Sequence, residues 1–131
     1  MSKFQEDALN FMTKLYTIAS EDPEVQKSAV GKDLILEFNV SDMPDFAMQL
    51  LAKEDKMTVQ KGSENTPNVV VEYKDFDTLK SYWSGEIGGM MLLMTRKIKV
   101  TRGQQRQLMF LGSMEKALRK TFSEIKDECP G

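Results

Sequence analysis

The sequence predicts an α+β domain, a five-stranded, mainly antiparallel sheet with helices packed on one face. Three observations carry this. Apolar residues recur at helical spacing near both ends of the chain. In the middle they alternate through four short segments separated by polar turns. A fifth alternating segment returns after two helical stretches. The 131 residues are read as one domain, spanning 1–131.

Each element has its own warrant. Phe4, Ala8, Leu9, Phe11, Met12, Leu15, Tyr16, Ile18 and Ala19 make one wide helical face. Asp22-Pro23 restarts a helix, with Asp as cap and Pro in the first turn, and Gly31 stops it. Leu34, Leu36, Phe38 and Val40 alternate with polar neighbours, broken only by Ile35. Asp42-Met43-Pro44-Asp45 reads as a turn. Phe46, Met48 and Leu50 alternate about Gln49, and Lys53 to Lys56 is a second polar turn. Met57 and Val59 form a third strand, and residues 62–68 a loop. Val69, Val71 and Tyr73 form a fourth. These four strands predict an antiparallel meander with one buried and one wet face.

Asp75 caps the next helix, which carries Phe76, Leu79 and Trp83 inward and ends at Gly85. Glu86 to Met94 reads as a further helix with Ile87, Met90, Met91 and Met94 on one side. Lys97 to Thr101 is the fifth strand, broken by Gly103. A long last helix follows, with Leu108, Leu111, Met114 or Glu115, Leu118, Phe122 and Ile125 as its stripe.

Composition removes several functions. There is no histidine and only one cysteine, Cys129, so His-based acid–base chemistry and His or multi-Cys metal sites are excluded. No cofactor and no metal are expected. Gly85-Glu86-Ile87-Gly88-Gly89 lacks phosphate-loop spacing and follows a helix. A net charge of −2 gives no pull toward nucleic acid. No apolar run approaches the roughly 20 residues of a spanning helix. The charged start lacks the apolar core of a signal peptide, so a cytoplasmic location is expected.

Two stretches carry functional weight. Ten methionines are many for this length. Met suits a cavity wall that accepts variable apolar shapes, and it also fills ordinary cores. Arg96, Lys97, Lys99, Arg102 and Arg106 fall close together with no acid between them. They suit a rim for an anionic headgroup or an anionic membrane surface, and equally a solvated edge strand.

Three segments carry a family resemblance: DLILEFNV with FAMQLLAKEDKMTVQKG and PNVVVEY, then KDFDTLKSYWSGEIGGMMLLM, then RKIKVTRGQQRQLMFL. The segments lie between Asp33 and Leu111, and over about residues 4 to 125 the chain resembles the sterol carrier protein family of nonspecific lipid-transfer proteins. The most specific part pairs the small-residue junction Gly85 to Gly89 with the basic strand ending in Gly103. The resemblance implies an apolar tunnel between sheet and helices, and a carrier of a fatty acyl chain, acyl-CoA, phospholipid or sterol. The chain departs from peroxisomal members in ending Cys129-Pro130-Gly131, so targeting by a Ser-Lys-Leu type signal is not expected.

The expected lining is Leu36, Phe38, Met48, Leu50, Met57, Val71, Phe76, Leu79, Trp83, Met90, Met91, Met94, Leu108 and Leu111. Lys97, Lys99, Arg102 and Arg106 are the expected anion rim. The reading is a noncatalytic lipid-binding protein whose partner is a hydrophobic small molecule, with transient contact to an anionic membrane surface. The alternative is an interaction or substrate-presenting subunit of a lipid-metabolising enzyme, its apolar faces solid core and its last helix docked on a second copy as a homodimer.

Overall fold

The computed structural model describes residues 1–109 and 111–131. Its helices are α1 (Lys3–Ser20), α2 (Pro23–Ser28), α3 (Phe76–Ser84), α4 (Gly89–Met94) and α5 (Gly112–Ile125). Its strands are β1 (Leu34–Val40), β2 (Met43–Lys53), β3 (Lys56–Lys61), β4 (Val69–Tyr73) and β5 (Ile98–Arg102). The fold is α+β, with one mostly antiparallel sheet in the order β3-β2-β1-β4-β5.

Local chemistry sets the helix starts. The Ser2 hydroxyl accepts from the Gln5 amide while the Gln5 side chain accepts from the Ser2 amide, a reciprocal cap for α1. Asp22 caps α2 ahead of Pro23. Asp75 accepts from the Thr78 amide at 2.8 Å and its hydroxyl at 2.7 Å, which starts α3. Gly85, at φ 88°, closes α3 in the left-handed conformation.

The meander holds for β1, β2 and β3 but not for β4. That strand pairs with β1 in parallel, Leu36 beside Val69 and Phe38 beside Val71. A two-residue turn can join antiparallel strands, but parallel neighbours need a crossover. Here residues 62–68 return across the sheet, tied by Asn68 N–H to Ile35 O at 2.8 Å and by Gly62 N–H to Ala47 O at 2.8 Å. This corrects the expectation of one fully wet face. Under the crossing segment Gln49 is buried, donating to Glu37 at 3.0 Å and to the Asn65 carbonyl at 2.7 Å. Desolvated amides and carboxylates need such partners.

Met43, Pro44 and Asp45 belong to β2 rather than to a turn. The β1–β2 register shifts between Asn39 and Val40, and Asp45 takes φ 69°. The bulge lets β2 begin earlier than the Pro-containing stretch suggested. The last helix is also broken. A 3-10 segment, Gln105–Leu111, precedes α5, and the change falls at Gly112, a poor helix former.

The helix-covered face of the sheet carries Leu36, Phe38, Met48, Leu50, Val69, Val71 and Tyr73. Helix α1 packs on β2 and β3, and α5 packs on α1. Trp83 from α3 sits among Phe11, Tyr16, Phe76 and Phe122, with ring centroids 5.7–6.1 Å away. Its Nε1 donates to the Tyr16 hydroxyl at 3.2 Å.

Candidate functional site

One apolar hollow lies beside this packed cluster. Its floor is Phe38, Val71, Tyr73 and Ile98 of β1, β4 and β5. Tyr82 of α3, and Gly89, Met90, Leu92 and Leu93 of α4, make one wall. Gln105, Leu108, Met109 and Leu111 of the 3-10 segment, with Gly112 and Glu115 of α5, make the other. It holds about 350 Å³, near the small end of the roughly 300–1,000 Å³ typical of ligand sites. Met90 and Met109, 74% and 81% exposed, stand where it opens to solvent.

The space exists because two short elements roof this part of the sheet. Helix α4 has six residues and the 3-10 segment seven. Each turns few side chains inward, and the second spaces them at three per turn. A Cβ at Gly89 would lie 3.5 Å from Glu115 Oε2 and 3.6 Å from Tyr82 Cε1, ordinary contact distances that set the start of α4 against that wall. At Gly103 (φ 81°) a Cβ would come within 2.6 Å of the Asn68 carbonyl, which ties the chain before the 3-10 segment to β4.

Polar groups gather at one side. The Tyr82 hydroxyl donates to Glu115 Oε2 at 3.3 Å. Glu115 Oε1 accepts from Arg119 Nη2 at 2.8 Å. The Arg119 guanidinium stands 5.9 Å from the Tyr82 ring centre, within cation–π range. Arg119 Nε is enclosed without a hydrogen-bond partner among the described residues. Burial pushes the Tyr82 phenol well above its ordinary pKa, helped by Tyr16 and the Glu115 charge. Burial does the same for Tyr73. Both remain hydroxyl donors at physiological pH.

Of the residues expected to line a tunnel, Phe38, Val71, Met90, Leu108 and Leu111 border the hollow. Leu36, Met48, Leu50, Met57, Phe76, Leu79 and Trp83 lie instead in filled core. Helix α4 is turned from its expected orientation. Leu92 is buried, while Met91 and Met94 point outward at 50% and 73% exposure. In GMMLLM no polar residue marks a wet side, so spacing alone could not orient the helix. Leu93, Ile98, Tyr73, Tyr82 and Glu115 complete the lining. The inward place of Tyr73 followed from its alternation with Val69 and Val71. Nothing in the sequence linked Tyr82 to Glu115.

The basic run does not border this hollow. Lys97 and Lys99, with Arg96, flank a separate recess shared with Ser41, Glu72 and Lys74. Arg102 and Arg106 are exposed. Among the described residues no cluster of His, Cys, Asp and Glu could hold a metal ion, and no helix is long and apolar enough to cross a membrane. Cys129 is half-buried, and burial raises its thiol pKa, which keeps it a poor nucleophile.

The sequence model of the SCP-2 sterol transfer family matches residues 12–103. The chain belongs to that family. Among solved structures it is similar to sterol carrier protein domain 2 of Helicoverpa armigera, with a TM-score of 0.65 and 20% identity over 87% of this chain and 89% of that one. It is similar to sterol carrier protein-2 of Aedes aegypti in complex with palmitate, with a TM-score of 0.55 and 14% identity over 89% and 98% of the two chains. It is also similar to the ubiquinone synthesis protein UbiJ-SCP2, with a TM-score of 0.58 and 11% identity over 92% and 95%. At such identities these likenesses establish a shared fold. No curated protein matches the chain in sequence.

Proposed function

We propose that the protein is a noncatalytic carrier that holds the hydrocarbon part of an acyl or sterol-like lipid in the hollow beneath α4. The observation that carries this is the half-open apolar space between the sheet and the two short roofing elements. Membership of the SCP-2 sterol transfer family and the palmitate bound by the Aedes aegypti relative support it. Removing hydrocarbon from water supplies the affinity. About eight methylenes in the hollow contribute roughly 6 kcal/mol before the costs of association. Apolar contact discriminates weakly between chains, so several lipids are expected to compete.

The surroundings of the mouth suit delivery from an anionic lipid surface. Met90, Met91, Met94 and Met109 are exposed, flexible and apolar. Exposed Arg96, Lys97, Lys99, Arg102 and Arg106 lie in the chain between α4 and the 3-10 segment's Met109. Each such charge near an anionic bilayer is worth about 1 kcal/mol.

The test is titration with a fluorescent long-chain acyl probe. Saturation near one probe per chain, reversed by unlabelled lipid, is expected. The double variant Leu93→Trp with Leu108→Trp fills the hollow and should abolish uptake while circular dichroism stays native. Undiminished binding by that folded variant would place the ligand elsewhere and refute the proposal.

A further inference from the structure

One polar side chain lining the hollow has no hydrogen-bond partner among the described residues. Tyr73 ends β4 beside Phe38 and Ile98 and is only 5% exposed. Its hydroxyl makes no hydrogen bond among the described residues. It is not one of the enclosed unpaired atoms, so it keeps some access to solvent, and Tyr73 is a lining residue of the hollow. Water entering the hollow can accept from this hydroxyl, and a ligand that displaces the water keeps that bond only if it places an oxygen there.

The charge of the lining narrows the ligand. Glu115 is the one charged residue among the described lining residues, and no Lys or Arg borders the hollow. Arg119 does not border the hollow, and its Nη2 is engaged by Glu115 at 2.8 Å. A carboxylate or phosphate drawn inside would lose its hydration, find no free cation, and face the Glu115 carboxylate. A hydroxyl or carbonyl oxygen meets none of these penalties. It can accept from Tyr73, and a hydroxyl can also donate to a free lone pair of Glu115.

We propose that the hollow selects lipids whose inner polar end is an uncharged oxygen, and that Tyr73 donates the hydrogen bond that anchors it. Fatty alcohols, sterols and acylglycerols share this chemistry. The proposal rests on the lipid-carrier reading and assigns the ligand class of the same site.

Two probes of equal chain length test it, 1-dodecanol and dodecanoate, each competing with the bound fluorescent acyl probe at about pH 8, where the acid is ionised. In the wild type, dodecanol is expected to compete about tenfold more strongly, since the ion must be desolvated beside Glu115. Tyr73→Phe keeps the ring and should weaken dodecanol about fivefold while leaving dodecanoate unchanged. Glu115→Gln removes the repelling charge and frees Arg119, so it should strengthen dodecanoate and narrow the gap, which a merely structural role would not produce. Equal or stronger competition by dodecanoate in the wild type, or equal losses for both probes in Tyr73→Phe, would overturn this proposal alone. Failure of the acyl probe to bind the wild type at all would overturn the carrier reading and this proposal with it.

Discussion

Around Trp83 the helix-covered face of the sheet is solid, whereas beneath α4 the same face is hollow. The solid part is roofed by α1 with 18 residues and α5 with 14, which bring Phe11, Tyr16 and Phe122 against Trp83. The hollow part is roofed by six-residue α4 and the 3-10 segment. Long helices repeat an apolar face over several turns and can interdigitate with the sheet. Short ones cannot, and the gap they leave is lined by Leu, Met and Tyr. The difference separates two jobs carried by one continuous apolar surface. One region stabilises the fold, and the other keeps space.

The largest expected effect breaks the solid side. Trp83→Ala should cost about 3–5 kcal/mol in urea unfolding, because the large cavity cannot close among fixed rings. Leu108→Ala in the hollow's lining should cost well below the roughly 2–5 kcal/mol of a filled Leu site. Equal losses would mean that the two regions are packed alike.

Ligand should distinguish the regions next. At a hundredfold excess over its Kd a carried lipid raises stability by about 2.7 kcal/mol. The Leu93→Trp, Leu108→Trp variant should show no such rise in thermal unfolding. A smaller effect, about 1–2 kcal/mol, is expected from Tyr16→Phe, which strips Trp83 Nε1 of its buried acceptor. Lipid affinity should not change, because neither Tyr16 nor Trp83 borders the hollow.

The smallest effect lies at the α3 cap that both regions share. Hydrogen bonding, first from the Thr78 hydroxyl and then from its amide, holds the Asp75 carboxyl below its ordinary pKa. A depressed carboxyl stabilises the fold above the ordinary carboxylate range, and this contribution fades as pH falls through its folded value. Asp75→Ala should therefore cost about 1 kcal/mol near neutral pH, and the gap to wild type should shrink below about pH 4. A gap that widened in acid would contradict the assigned cap.

The solid region was the more legible in the sequence. The stripe through Phe11, Met12 and Leu15 and the alternation of Leu36 and Phe38 each have polar neighbours that separate the apolar face from the other, although Glu37 on that other face is itself buried. The hollow was less so. GMMLLM has no polar marker, and the expected orientation of Met91 and Met94 was reversed. The parallel β1–β4 pair was also hidden, since alternation specifies a strand's faces but not its neighbour. Glu115 and Arg119 were recognisable as a helical pair at positions four apart, yet the place of Glu115 at the hollow depends on where α5 meets α3.

Methionine methyl groups report on both regions at once. Met90 and Met109 border the hollow, while Met12 and Met48 are fully buried in the solid core. With methyl-labelled methionine, titration of 1-dodecanol followed by NMR should move the Met90 and Met109 signals saturably, near one ligand per chain, and leave Met12 and Met48 in place. Absence of saturable shifts at Met90 and Met109, or larger shifts at Met12 and Met48, would contradict a lipid site beneath α4.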